Sequence, residues 1–173
     1  MRSASLIWPR AALLLLVLLL AAPEGTAGIS DASSVLTVQV EGQKPLIFTA
    51  SAVARLPRQT LRARDHSGME INFAGVLLRD LLTKAGEPLG EALAKDRLTT
   101  VVLVTGADGH RVAFSLAELD AGYGNQKVLV ADEVAGLKFK PEHGPWRLVV
   151  PGDRRHGRWV RQVIRIQVRR LAE

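Results

Sequence analysis

Near its C-terminal end the chain reads Gly144-Pro145-Trp146-Arg147-Leu148-Val149-Val150-Pro151-Gly152-Asp153 and runs on into Arg154, Arg155, His156 and Arg158. A guanidinium is a rigid fork of N–H donors whose spacing matches the oxygens of a carboxylate or phosphate. Several of them crowded onto a loop at the end of an apolar strand form a candidate anion site. The plainer reading is a solvated basic loop, with these arginines paired on the surface to Asp132, Glu133, Glu142 and Asp153. The sequence leaves both open.

Other chemistries find less support. His66, His110, His143 and His156 each stand apart from any second ligand at helical or turn spacing, so no local metal motif is present. Gly106-Ala107-Asp108-Gly109 reads as a hairpin turn, and no Gly-x-Ser-x-Gly elbow exists to expose a serine nucleophile. Gly122-Tyr123-Gly124-Asn125 is a turn with no helix after it, which excludes a dinucleotide fingerprint. The chain has no cysteine, and so neither a thiolate nor a disulfide.

The elements that must position these residues follow from periodicity. Val35 to Val40 alternates as a strand and turns at Glu41–Lys44 towards Leu46-Ile47-Phe48. Thr49 or Ser51 can cap a short helix that Pro57 closes, and Gln59 to Arg64 alternates as a strand with a basic side. A helix is predicted from Gly75, with Leu77, Leu78, Leu81, Leu82 and Ala85 on one face and Gly86 as its left-handed C-cap. Thr99–Thr105 and Arg111–Phe114 read as a hairpin, and Ser115-Leu116-Ala117-Glu118 as a capping box. Lys127–Ala131 and Trp146–Val150 read as buried strands, and a further strand is expected to begin at Trp159. The last strand should carry Ile164, Ile166 and Val168 on one face, with Arg165, Gln167 and Arg169 on the other. Strands outnumber short helices, which makes this an α+β domain.

Length and charge set the remaining bounds. The 173 residues suffice for one domain with its own core. Arg2 and Arg10 precede the apolar run Ala11–Ala22, and Gly25-Thr26-Ala27 supplies small residues for cleavage, so residues 1–27 read as a secretory signal peptide. An uncleaved anchor is the alternative. Residues 28–34 are small and polar and read as a flexible N-terminus, with the domain spanning 35–173 and a periplasmic or secreted location expected. Cleavage would remove two arginines and one glutamate, taking the net charge from +6 to +5. That excess suits a small anionic ligand or an acidic partner protein in the envelope. No aromatic-basic stacking run points to nucleic acid, and no membrane span is expected after cleavage.

Several segments, taken in order, resemble the molybdopterin-binding oxidoreductase domain of the sulfite oxidase superfamily. Phe73-Ala74-Gly75-Val76-Leu77-Leu78-Arg79-Asp80-Leu81-Leu82 is similar to its F-x-G-V-x-L-x-D-L-L segment. Asp108-Gly109-His110-Arg111-Val112 resembles its D-G-Y-x-V hairpin, and Val128–Ala131 followed by Gly144–Gly152 resembles its closing strands. The resemblance covers the chain from about Val35 onward and implies a sheet-rich α+β fold and an oxidoreductase lineage. It also implies a molybdenum cofactor, held by the dithiolene of molybdopterin and by one cysteine thiolate of the protein. At the matching position this chain has Ala63. The implied pocket therefore comprises Ala63, His66, Arg147, Arg154, Arg155 and Arg158, with a pterin or other small anion as its ligand, no metal-ligating residue, and weak or absent redox catalysis. The alternative is a protein-interaction module on the same fold.

Overall fold

Alternation of apolar side chains decides which side of each strand is buried, and here it assembles two sheets over one core. A computed structural model describes residues 35–171. The expected leader and N-terminal tail, residues 1–34, lie outside the described residues. In β1 (Val35–Val40), Leu36, Val38 and Val40 are buried, while β5 (Thr100–Gly106) alternates strictly along its length. These strands belong to a five-stranded sheet ordered β2-β1-β10-β5-β6, completed by β2 (Leu46–Thr49), β6 (Arg111–Ser115) and β10 (Val163–Arg170). The first strand lies parallel to the last, pairing Thr37 with Arg165 and Val40 with Val168; the other pairings are antiparallel.

The second sheet runs β3-β4-β7-β8, with β9 (Arg147–Val149) also paired to β7. Its members are β3 (Arg58–Arg64), β4 (Glu70–Leu77), β7 (Leu129–Val134) and β8 (Leu137–Lys138). Helices are short: α1 (Ala50–Ala54), α2 (Leu78–Lys84) and α3 (Leu116–Leu119). Phe73, Leu77, Leu81, Phe114, Trp146 and Ile166 join one continuous buried cluster drawn from both sheets and α2. Among the described residues no helix is long and apolar enough to cross a membrane.

Local chemistry sets the helix ends. The Thr49 hydroxyl accepts from Ala52 N at 3.2 Å and starts α1. Ser115 and Glu118 form the expected reciprocal capping box at α3. Gly86, at φ +89°, ends α2 in the left-handed conformation.

The structure departs from the sequence expectations at three places. The helix expected from Gly75 begins only at Leu78, because Gly75, Val76 and Leu77 are taken up by β4 and paired with Ala131, Val130 and Leu129 of β7. No strand begins at Trp159: a single 3-10 turn, His156–Arg158, precedes it, and the strand starts at Val163. Ile164 is 44% exposed and leaves the apolar face of β10, because a bulge between Val163 and Arg165 puts Val163 inward instead.

Candidate anion site

The loop after β9 is held to the rest of the molecule at three points. His156 Nε2 donates to the Arg64 carbonyl at 2.8 Å, joining the loop to the end of β3. His110, at the β5–β6 turn, bonds Gly157 O through its ring at 3.0 Å. Arg158 is the strongest tie: its Nε and Nη2 fork onto Asp153 at 2.8 and 2.6 Å, and its Nη1 reaches Glu118 at 2.9 Å. Its guanidinium also lies 4.6 Å from the ring centre of Phe114. The hydrogen bond to Asp153, with a further one to Glu118, holds the Arg158 pKa above its usual value against the opposing effect of burial.

These ties shape a cavity of about 410 Å³, lined by Ala63 and Trp159 in the interior and by Arg62, Arg64, Arg154 and His156 towards solvent. The buried Ala63 presents only a methyl group there. Trp159 donates its ring N–H to Val150 O at 3.2 Å and packs edge-on against Phe73, so the indole is fixed. His156 stands edge-on to the same indole at 4.4 Å, and the His66 ring lies 4.4 Å from that of His156. The β3–β4 turn sets His66: the Asp65 carboxylate accepts from Ser67 N, Ser67 Oγ and Met69 N at 2.8, 2.6 and 3.1 Å. These bonds, led by the Ser67 hydroxyl, hold the Asp65 carboxyl below its usual pKa.

Arg147 completes the group. Its guanidinium lies 5.4 Å from the Trp159 ring centre, half-buried, with Nε enclosed and without a hydrogen-bond partner. It makes no ion pair among the described residues. Burial first, and then repulsion from Arg161, push its pKa below the usual value, with Asp65 opposing weakly. Arginine keeps its charge regardless. A half-buried cation without a counter-ion is costly, and a bound anion would offset that cost.

Of the six residues expected at this site, Ala63 and Arg154 line the cavity, and His66 and Arg147 stand against its His156 and Trp159 walls. Arg155 is exposed and lies outside the lining. Arg158 also lies outside it, consumed by Asp153 and Glu118, so the surface-pairing reading holds for this residue. The sequence did not single out Trp159 and His156 as the floor and wall, because the contact that sets the wall, His156 to the Arg64 carbonyl, spans 92 residues. A larger cavity of about 470 Å³ beside Phe139, Trp146 and Gln162 is lined without any ionisable side chain.

Truncating Arg158→Ala is therefore expected to destabilise the fold by about 1–2 kcal/mol, the loss of a partly exposed, doubly paired guanidinium. Urea unfolding measures this, and anion affinity in the folded fraction should stay within about twofold of wild type.

The oxidoreductase molybdopterin binding domain family matches residues 27–172. Among solved structures, the sulfane dehydrogenase SoxCD from Paracoccus pantotrophus is similar at TM-score 0.63 and 24% identity, covering 81% of this chain. The chain spans 39% of the length of that protein, and at this identity the likeness concerns the fold alone. No curated protein matches the sequence. With the family match running over nearly the whole described chain, and the sheet-rich α+β architecture agreeing, the chain belongs to the oxidoreductase molybdopterin-binding-domain family.

Proposed function

We propose that this domain binds a small anion in the cavity walled by His156 and Trp159, beside Arg147, and does so without a protein-ligated molybdenum centre. Arg147 carries the reading: a half-buried guanidinium with an enclosed, unpartnered Nε calls for a negatively charged oxygen. Some neighbouring cations have carboxylate partners. Arg62 and Arg64 share Glu70 at 3.0 and 3.8 Å, and Arg58 pairs with Asp132 at 2.7 Å. Arg147, Arg154, Arg155 and Arg161 make no ion pair among the described residues, and Arg62 and Arg64 have one carboxylate between them.

The residues present do not fit the metal of the family's cofactor. The buried methyl of Ala63 stands where the resemblance calls for a thiolate, and the only sulfur among the described residues is the thioether of Met69, 61% exposed on the β3–β4 turn. Among the described residues, no three His, Cys, Asp or Glu side chains gather as a ligand set. A pterin phosphate would suit the basic cluster as one form of small anion; oxo-transfer at a protein-anchored metal would not be supported. Export of the domain to the periplasm or beyond rests on the leader-like residues 1–27 and belongs to the same proposal.

The test is the metal content of protein purified from a host that makes molybdopterin. Molybdenum by plasma mass spectrometry is expected at well under one-tenth of an equivalent per chain, a level marking carry-over and not occupancy of a specific site. One equivalent of molybdenum would overturn this reading.

A second reading, an interaction module of the envelope, draws on one observation. The strands of the β2-β1-β10-β5-β6 sheet contain no acidic residue, and the exposed Arg111, Arg165 and Arg169 make no ion pair among the described residues. A basic sheet face of this kind suits an acidic partner protein.

A further inference from the structure

We propose that anion entry into the cavity is coupled to proton uptake by the adjacent His66–His156 pair, so that the site takes a dianion and a proton together. The inference rests on the anion-site reading above and extends it to the linkage between ligand and pH. The geometry is a pair of imidazoles 4.4 Å apart inside a ring of cations. His156 spends its Nε2–H on the Arg64 carbonyl, which fixes its tautomer and leaves Nδ1 as the position that can gain a proton.

Every charge around the pair bears on the balance. His66 faces His156, Arg147 and Arg161, with Asp65 as the one acid; the walls near His156 add Arg62, Arg64 and Arg154 against Glu70 and Asp153. The acids are committed elsewhere: Glu70 to Arg62 and Arg64, Asp153 to Arg158, and Asp65 to the backbone and hydroxyl of its own turn. Although His66 as a residue is exposed, its ring packs on His156. Burial first, then the charge of His156, and after it Arg147 and Arg161, push its pKa below the usual value, with Asp65 opposing. In the empty site His66 is therefore disposed to stay neutral near pH 6.5, the ordinary histidine value. A dianion beside Arg147 reverses the local field and favours the imidazolium. No bond is made or broken; one proton moves from solvent to an imidazole nitrogen as the anion enters.

The sign follows from linkage. When the bound state holds more protons than the free state, affinity rises as pH falls, by at most about tenfold per unit for one proton. The effect vanishes well above both titrations, where neither state is protonated, and well below both, where each is. For folding without anion the sign is opposite: the unfolded chain binds the His66 proton more readily, so stability contributed by neutral His66 is lost as pH falls through its usual value.

Sulfate is the probe, since it remains a dianion across the range and any proton taken up belongs to the protein. Isothermal titration of the intact protein between pH 5.5 and 8, in two buffers of different ionisation enthalpy, gives both affinity and proton count. The expected result is binding that tightens several-fold as pH falls, with net proton uptake that drops by more than half in His66→Gln. In wild-type protein, the imidazole Cε1–H resonances should titrate at higher pH with sulfate than without it, a measurement needing no variant. Sulfate binding with no proton exchange and unmoved imidazole titrations would overturn this inference and leave the anion site standing. Failure to bind sulfate or inorganic phosphate at any pH would overturn both.

Discussion

Arg147→Met is expected to lose about 10- to 100-fold in affinity for sulfate while leaving the ligand-free protein no less stable than wild type. A charge-assisted contact to a desolvated guanidinium contributes about 1.5–3 kcal/mol, and methionine has no donor to replace it. Stability should move the other way or not at all. The linear thioether fills the space of the arginine stem over Trp159 and removes a half-buried charge that burial and Arg161 already disfavour. Against that gain stands the cation–π contact at 5.4 Å from the indole centre, worth about 0.5–1 kcal/mol. Thermal unfolding with and without sulfate measures both effects at once. A variant that melts several degrees lower and keeps its sulfate shift would show that Arg147 serves the fold instead of a ligand.

Gly75→Ala is expected to be the most damaging single methyl in the described chain, costing about 3 kcal/mol or more. A Cβ at this position would lie 2.2 Å from Val130 O and 2.6 Å from Ala131 Cα, both backbone atoms of β7. The register between β4 and β7 shifts between Ala74 and Gly75, so the two strands meet most closely where the glycine sits. Backbone cannot rotate away as a side-chain tip can, and the sheet would have to part between its two central strands. Urea unfolding monitored by circular dichroism should show a large fall in midpoint at nearly unchanged slope. A change under about 1 kcal/mol would mean that β4 and β7 can separate at little cost.

The glycine also shows which parts of the fold were legible in the sequence. Alternation read correctly in β1, where one face is buried, and capping chemistry placed α3 through Ser115 and Glu118. The Phe73–Leu82 segment misled because leucines at 77, 78, 81 and 82 satisfy a helical period whether or not the first belongs to a strand. Pairing with β7 claimed Gly75 through Leu77, and no single-chain period reports a partner strand. The bulge in β10 had the same effect on Ile164, turning one residue out of an otherwise regular alternation.

The candidate site divides along a similar line. Arg147 and Ala63 were named from residue type and family resemblance; Ala63 lines the cavity and Arg147 lies over its Trp159 wall. Arg158 was indistinguishable from them in sequence, because the acids that neutralise it, Glu118 and Asp153, are 40 and 5 residues away. The His66–His156 contact was equally invisible, joining two loops that only the folded sheets bring together. Which arginine is free is a property of tertiary structure.

The parallel pairing of β1 with β10 constrains how the molecule can come to exist. The strand between β1 and β5 follows both of them in the chain, so these two have no bridge between them until residues 163–170 have left the ribosome. The β1–β2 and β5–β6 hairpins can pair on their own, but they join into one sheet only when β10 arrives between them. Such a topology favours slow, late closure and a chain that stays pliable while it is being made.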